Sequence, residues 1–288
     1  MHTLIRYAVA SIFCTSIAGC TLGYVPSPPP DLTQAELTFQ DEFDGTAVDS
    51  SKWNIISRNI FYLGVLNAHN PDMVSVENGY LKIDLRPTPY LSMNYSGGEI
   101  DTRNKFNQQY GYFEARIKMP GGGGVHPAWW LWPQSDRWPP EIDIVEIKGN
   151  EPTNAYMTVH WSENGIVRAH PEQVDFTGDY FAESAYEGPD FTQDFHVFGV
   201  EWTPDRLSWY IDGVERHRTT EHIPHEPFML IIDLALDRYG GPLDDSTVFP
   251  ASMLVDYVRV YRLPDVLPAT SANQATPRDN EPALLQSR

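Results

Sequence analysis

In Pro140-Glu141-Ile142-Asp143-Ile144-Val145-Glu146, three carboxylates are interleaved with branched aliphatic side chains. A carboxylate pair does a defined kind of chemistry: one member attacks or stabilises an electron-poor carbon, while the other hands a proton to a leaving oxygen and then takes one from water. The outer positions need reach, which Glu141 and Glu146 have, and the shorter Asp143 fits between them. Strand alternation puts Glu141 and Asp143 on one face and Glu146 on the other. A β-bulge, one extra residue among Ile144, Val145 and their flanks, returns Glu146 to the face of the other two, and bulges often re-aim a side chain beside an active site. On a curved sheet the two glutamates can then bring their tips to the ~5–5.5 Å at which such a pair acts as nucleophile and acid on a glycosidic bond. The competing reading is a solvated strand face. Acids one or two strand steps apart on one face repel, and an exposed face has no use for the tryptophans adjacent to this one.

The elements around this stretch follow a period of two. In MVSVENGYLKIDL, Val74 and Val76 precede Asn78-Gly79, and Leu81 and Ile83 follow, which is a hairpin signal because that dipeptide accepts positive φ. LSWYIDGVERHR repeats the device with Asp212-Gly213, and GYFEARIKM and MLVDYVRVYRL alternate apolar with polar residues. Helical periodicity is scarce, and 24 Pro with 20 Gly punctuate the strands, so the sequence predicts an all-β fold, an antiparallel sandwich. The run Gly121 to Gly124 lacks the Gly-Lys-Ser/Thr of a phosphate loop and reads as a strand connection. His217, His222 and His225 follow a hairpin and precede a Pro-rich turn, which favours a surface loop over a zinc site.

Composition narrows the partners. A formal net charge of −19, with no Lys/Arg cluster, excludes nucleic acid as a partner and disfavours a polyanionic polymer, so a neutral ligand is expected. The first residues, MHTLIRYAVASIFCTSIAGC, place Arg6 before an apolar run too short to span a bilayer, which reads as a signal peptide over residues 1–19. Ile17-Ala18-Gly19-Cys20 resembles the lipobox of bacterial lipoproteins, which implies cleavage before Cys20 and its lipidation. Thr21 in place of Asp implies an outer-membrane lipoprotein in a Gram-negative source, exposed to the cell surface or periplasm. Cys14 and Cys20 are the two cysteines, so the domain that follows carries no disulfide. Residues 20–36 read as a Pro-rich tether, 37–263 as one domain, and 264–288 as a disordered tail.

Glu-Ile-Asp-Ile-Val-Glu resembles the signature of glycoside hydrolase family 16, in the bulged form of its laminarinase-like members; licheninases carry a form one residue shorter. FQDEFDG, ENGYLKI, YGYFEARIKMP, FHVFGVEWTPDRLSWYIDG and VDYVRVYR resemble family segments in the same order. The stretch WPPEIDIVE resembles in particular the bacterial exopolysaccharide glycanases and β-glucanases of the family. The resemblance implies a β-jelly roll with the substrate cleft on its concave sheet, and a retaining endo-β-glycanase acting on β-1,3- or mixed β-1,3/1,4-glucan. It implies Glu141 as nucleophile, Glu146 as acid/base and Asp143 as modulator of the pair, with no cofactor for catalysis.

With that resemblance in view, Trp130, Trp132 and Trp138 are placed to stack on sugar faces, whereas Trp129 and Trp202 read as core. Glu99 resembles a sugar-binding Glu of the licheninases, and His160 is expected to contact sugar or Asp143. Family members often hold a structural calcium on the convex side, which would use the Asp256 side chain with backbone oxygens of Glu42 and Gly79. The sequence departs from many laminarinases at His126, where they have Trp, at Asp233-Leu234-Ala235, where they have Asn-Leu-Ala, and in the short Trp138-Pro139-Pro140 loop. The same chemistry on a bacterial exopolysaccharide or red-algal galactan, a transglycosylase, and a non-catalytic glycan-binding jelly roll stay open as alternatives, and the chain is expected to be a monomer.

Overall fold

The strand Gly111–Lys118 buries Phe113, Ala115 and Ile117 on one side, and the same alternation recurs across two sheets stacked face to face. The computed structural model describes residues 26–60, 64–162 and 180–264. The signal peptide, Cys20 and the C-terminal tail beyond residue 264 lie outside the described residues.

One sheet has eight strands and centres on Gly111–Lys118 and Ala251–Arg262. The other has seven, in the order Tyr180–Glu187, Asn154–Trp161, Glu141–Ile147, Val125–Pro133, Phe228–Leu236, Glu99–Asp101 and Asn54–Ile55. Every pairing in these two sheets is antiparallel; a small third sheet joins Asn67–His69 in parallel to Tyr95–Gly97. Between the two large sheets lies one continuous core. From the seven-stranded side it takes Trp129, Leu131, Ile142, Val145 and Leu234; from the other it takes Phe113, Trp202, Trp209 and Val258. Trp129 and Trp202 are thus the core residues that the sequence predicts.

Both hairpins form where the dipeptides place them. Asn78 and Gly79 take φ of 56° and 78°, Asp212 and Gly213 φ of 50° and 73°, and each pair joins two strands of the eight-stranded sheet. The described part of the segment read as a tether lies against the domain. The Ser27 N–H donates to Glu215 at 2.7 Å, and Leu32 and Ala35 pack with Leu263 on Tyr112 and Tyr210, because these apolar residues have a partly buried cluster to join. Among the described residues no helix is long and apolar enough to cross a membrane.

Candidate active site

The acidic strand Glu141–Ile147 carries the bulge. Against Asn154–Trp161, Asp143 faces Thr158 and Glu146 faces Tyr156, so three steps on one strand match two on the other. Against Val125–Pro133, Asp143 faces Trp130 and Glu146 faces Ala128. Trp130 and Ala128 are two residues apart and share a face, so Asp143 and Glu146 share it too, and Glu141, two before Asp143, joins them. The cause is local. Ile144 and Val145 are adjacent in sequence and both buried in the core, which regular alternation cannot arrange. From the opposite sheet, the buried Trp209 Nε1–H donates to the Asp143 carbonyl at 2.9 Å, pinning the backbone where the ladder is broken.

The outer face of the seven-stranded sheet therefore gathers the groups expected to do chemistry. Trp138, from the loop ahead of the strand, donates its Nε1–H to Glu141 Oε2 at 3.1 Å. His160, paired with Glu141 in the ladder, sits with Nε2 3.2 Å from Asp143 Oδ2 and 3.6 Å from Glu141 Oε1. Burial first, and then the neighbouring Asp143 and Glu146 charges, push the Glu141 carboxyl well above the ordinary range, with His160 opposing them. Glu141 thus keeps its proton to higher pH than an ordinary carboxyl does.

Trp130 and Trp132 pack edge to face at 5.7 Å on this surface, each half-buried. Trp130 Nε1–H donates to Asp233 Oδ1 at 2.9 Å, and Trp132 Nε1–H donates to Asp136 Oδ1 at 3.0 Å. Both indoles are thereby held by their polar edges, which fixes the ring planes that a sugar would meet. Glu99 is placed differently from these groups. It is 2% exposed, takes both oxygens into a pair with Arg58 at 2.9 and 2.7 Å, and meets His69 Nδ1 at 2.6 Å. Burial alone would raise its carboxyl, but the His69 and Arg58 charges carry it down to about 2, while the His69 imidazole is carried up to about 9 against its own burial. Glu99 is therefore the buried centre of an ion cluster beside Asp233, whose Oδ2 lies 3.7 Å from His69 Nε2.

Groups not singled out in the sequence as catalytic partners close around Glu146. His126 Nε2 lies 2.8 Å from Glu146 Oε1, His126 Nδ1 lies 2.9 Å from Asp237 Oδ2, and the Tyr239 hydroxyl lies 3.3 Å from Glu146 Oε2 and contacts Glu183. Period two along Val125–Pro133 puts His126 on the face of Ala128, Trp130 and Trp132, so that signal was present. Asp237 and Tyr239 follow the strand Phe228–Leu236 in irregular backbone, and nothing in their spacing announced them.

On the far sheet, register carries Gly79 and Glu42 toward Asp256, since Leu81 faces Val255 and Asp41 faces Val258. The one side-chain donor there pairs with a guanidinium: Arg116 lies 2.7 Å from Asp256 Oδ2. A calcium ion there would compete with Arg116 for the charge of the one candidate side-chain ligand. His217, His222 and His225 each sit against an aromatic ring, of Trp209, Trp161 and Tyr110 respectively, and are exposed or half-buried; His222 and His225 lie in irregular backbone as the loop reading predicts, whereas His217 is on the strand Val214–Thr219, paired with Trp209.

A two-sheet antiparallel sandwich that raises two glutamates and an aspartate on its outer, tryptophan-lined face is the architecture of a glycan-cleaving jelly roll, a class in which the carboxylates do the chemistry themselves. Residues 64–234 match the profile of the glycosyl hydrolases family 16. That match spans more than half of the chain, and the chain belongs to this family. It is 33% identical over 273 residues to glucan endo-1,3-beta-glucosidase A1 of Niallia circulans, covering 81% of this chain and 39% of that protein. It is 34% identical over 196 residues to endo-1,3-1,4-beta-glycanase EglC of Rhizobium meliloti (strain 1021), covering 66% of this chain and 39% of that protein. The chain thus spans about two fifths of the length of these relatives. Among solved structures, the catalytic domain of an endo-1,3-beta-glucanase (laminarinase) from Thermotoga petrophila RKU-1 superposes with a TM-score of 0.69 at 30% identity, covering 79% of this chain and 98% of that one.

Proposed function

We propose that the protein is a retaining endo-β-glycanase that hydrolyses β-1,3- or mixed β-1,3/1,4-glucan. The observation that carries this reading is the bulge between Asp143 and Glu146, which puts both glutamates on one face with Asp143 between them. The relatives' activities on 1,3- and 1,3-1,4-linked glucans support the substrate class.

Glu141, oriented by the Trp138 indole and by His160, attacks the anomeric carbon as the bond to the leaving oxygen breaks. Glu146 gives that oxygen its proton. Water then attacks the same carbon, returns a proton to Glu146 and releases Glu141, so two inversions give net retention. Asp143, hydrogen-bonded into the cluster and held by His160, raises the proton affinity of Glu141 and thereby helps its departure in the second step. Trp130 and Trp132 offer fixed ring planes for the sugars on either side.

Reducing-sugar release from laminarin, barley mixed-linkage glucan, lichenan, succinoglycan, agarose and porphyran tests the reading. Activity on one of the glucans that vanishes in Glu141→Gln supports it. Activity confined to succinoglycan or to a galactan transfers the same chemistry to another polymer, and silence on all six from folded protein contradicts the assignment.

The export reading is part of the proposal. Residues 1–19 act as a signal peptide and Cys20 is the lipidated residue of a bacterial outer-membrane lipoprotein that acts as a monomer at the cell surface or in the periplasm; Ile17-Ala18-Gly19-Cys20 supports this. Labelled palmitate should enter the wild type and not Cys20→Ala. A structural calcium at Asp256 is proposed only as an exchange with Arg116, and Arg116→Ala should then gain calcium-dependent thermal stability.

A further inference from the structure

We propose that His126 and Asp237 form a positioning dyad for Glu146, fixing which of its oxygens carries the catalytic proton and how readily that proton leaves. The proposal rests on the hydrolase reading above and adds two residues to it. His126 stands on the outer face of Val125–Pro133, opposite Ala235, and its ring lies between two carboxylates: Nε2 is 2.8 Å from Glu146 Oε1 and Nδ1 is 2.9 Å from Asp237 Oδ2. With Asp237 ionised and the Glu146 proton on Oε2, both oxygens that face the ring are acceptors, and an imidazolium, with N–H on both sides, satisfies both contacts; a neutral ring would require the Glu146 proton on Oε1 instead. Burial alone would drive the proton off this ring; the Asp237 and then the Glu146 contacts outweigh it and hold the imidazole well above its ordinary range.

Asp237 is itself fixed. Its Oδ1 accepts from the backbone N–H groups of Tyr239 at 2.9 Å and Gly240 at 3.1 Å, which turns Oδ2 to His126. The other Glu146 oxygen is held more loosely, by the Tyr239 hydroxyl at 3.3 Å, and that hydroxyl also contacts Glu183. Oε1 is thereby committed to His126, and Oε2 is the oxygen left to carry the proton.

The charges around Glu146 explain why an imidazolium is placed there. On its own strand stand Glu141 and Asp143; across Ala128, in the same row, is Asp233. From Tyr180–Glu187, Glu183 acts through Tyr239, and Tyr156 on the facing strand gives its hydroxyl to Glu151. Lys148 lies 3.3 Å from Glu183 and sits over the rings of Tyr156 and Tyr239, at 3.6 and 4.4 Å. Among the described residues His126 is the cation in contact with Glu146. The imidazolium sets a positive charge against these negative neighbours, in direct contact with Glu146 Oε1. In the first step the Glu146 Oε2 proton passes to the glycosidic oxygen, which keeps the electron pair of the breaking C1–O bond while a Glu141 oxygen bonds C1. The carboxylate left on Glu146 is met by His126 Nε2–H. In the second step water bonds C1, the Glu141–C1 electrons return to Glu141, and the water proton goes to Oε2.

The test has two arms on the full chain. The first follows the His126 ring by NMR titration, assigned by His126→Gln, in wild type, Glu146→Gln and Asp237→Asn. The ring should stay protonated above pH 7 in wild type and lose its proton at lower pH in both variants. A midpoint near the ordinary 6.5 in wild type overturns the dyad, and this arm reads the same whether or not any glycan is cleaved. The second measures kcat/KM against pH on the glucan cleaved fastest. Removing the positive charge in His126→Gln, or weakening it in Asp237→Asn, should let Glu146 keep its proton to higher pH and move the alkaline limb up by roughly one unit. It should also cut kcat about 10- to 100-fold with KM little changed. Lower activity with an unmoved alkaline limb in both variants means that the dyad only shapes the site, and overturns the proposal. Wild type that cleaves nothing while its ring titrates as expected keeps the hydrogen-bonded chain and removes the hydrolase reading.

Discussion

In the proposed mechanism Glu141 must be ionised to attack, and its carboxyl is pushed up by its burial and by Asp143. A group held above its ordinary range stays protonated as pH falls toward that range, so the acidic limb of kcat/KM should lie above pH 4.5. Asp143→Asn removes the neighbouring charge and leaves the burial. The limb should move down by roughly one unit while kcat drops, and an unmoved limb would remove Asp143 from the role of modulator. The Glu141–Asp143–Glu146 set was legible in the sequence because residue type and a one-step misfit of register carry it. Around Glu146, period two placed His126 on the right face, but Tyr239, which reaches Glu146, and Asp237, which reaches His126, were not legible, since both come from irregular backbone after a distant strand.

Elements set these residues in place through a few cross-links that a strand pattern does not contain. The Trp209 indole spans the sandwich to the Asp143 carbonyl at the bulge. Trp209→Phe leaves that buried carbonyl unpaired, which should cost about 1–3 kcal/mol in denaturant unfolding and lower kcat more than it raises KM. An unchanged stability would mean that Ile144 and Val145 hold the bulge alone. His69 joins the small sheet to the seven-stranded sheet through Glu99. Its raised imidazolium adds stability that is complete below pH 6.5 and fades as pH climbs through about 9; the lowered Glu99 adds stability present above pH 4.5 and lost toward about 2. His69→Gln should therefore cost most between pH 4.5 and 6.5, about 3 kcal/mol with Arg58 still paired to Glu99, and little above pH 9. A cost that stays flat across that range would show that His69 acts by packing. Alternation and turn dipeptides made the hairpins and the sandwich readable. They could not reveal that Glu99 is enclosed, because its partners Arg58 and His69 come from short strands with weak pattern.

At the scale of the whole molecule, the chain carries a net charge of −19, and the face proposed to act on sugar is itself acidic. Its rate on a neutral glucan should barely change with salt, whereas any activity on an anionic glycan should rise as screening weakens repulsion. A rate on neutral glucan that climbs steeply with salt would assign a larger role to the field of the protein than the proposed mechanism requires. The sequence segments that resemble the family in order, from FQDEFDG to VDYVRVYR, lie on strands of the eight-stranded sheet, and the acidic signature lies on the seven-stranded one, so the sandwich as well as the site was readable in the sequence. The most direct measurement of the central claim is the anomeric configuration of the first product, followed by proton NMR during early hydrolysis of a β-glucan. A bulged strand that sets Glu141 and Glu146 to work as nucleophile and acid predicts that the β-anomer appears first and then mutarotates. First appearance of the α-anomer would contradict it, because single inversion leaves no place for a covalent intermediate on Glu141.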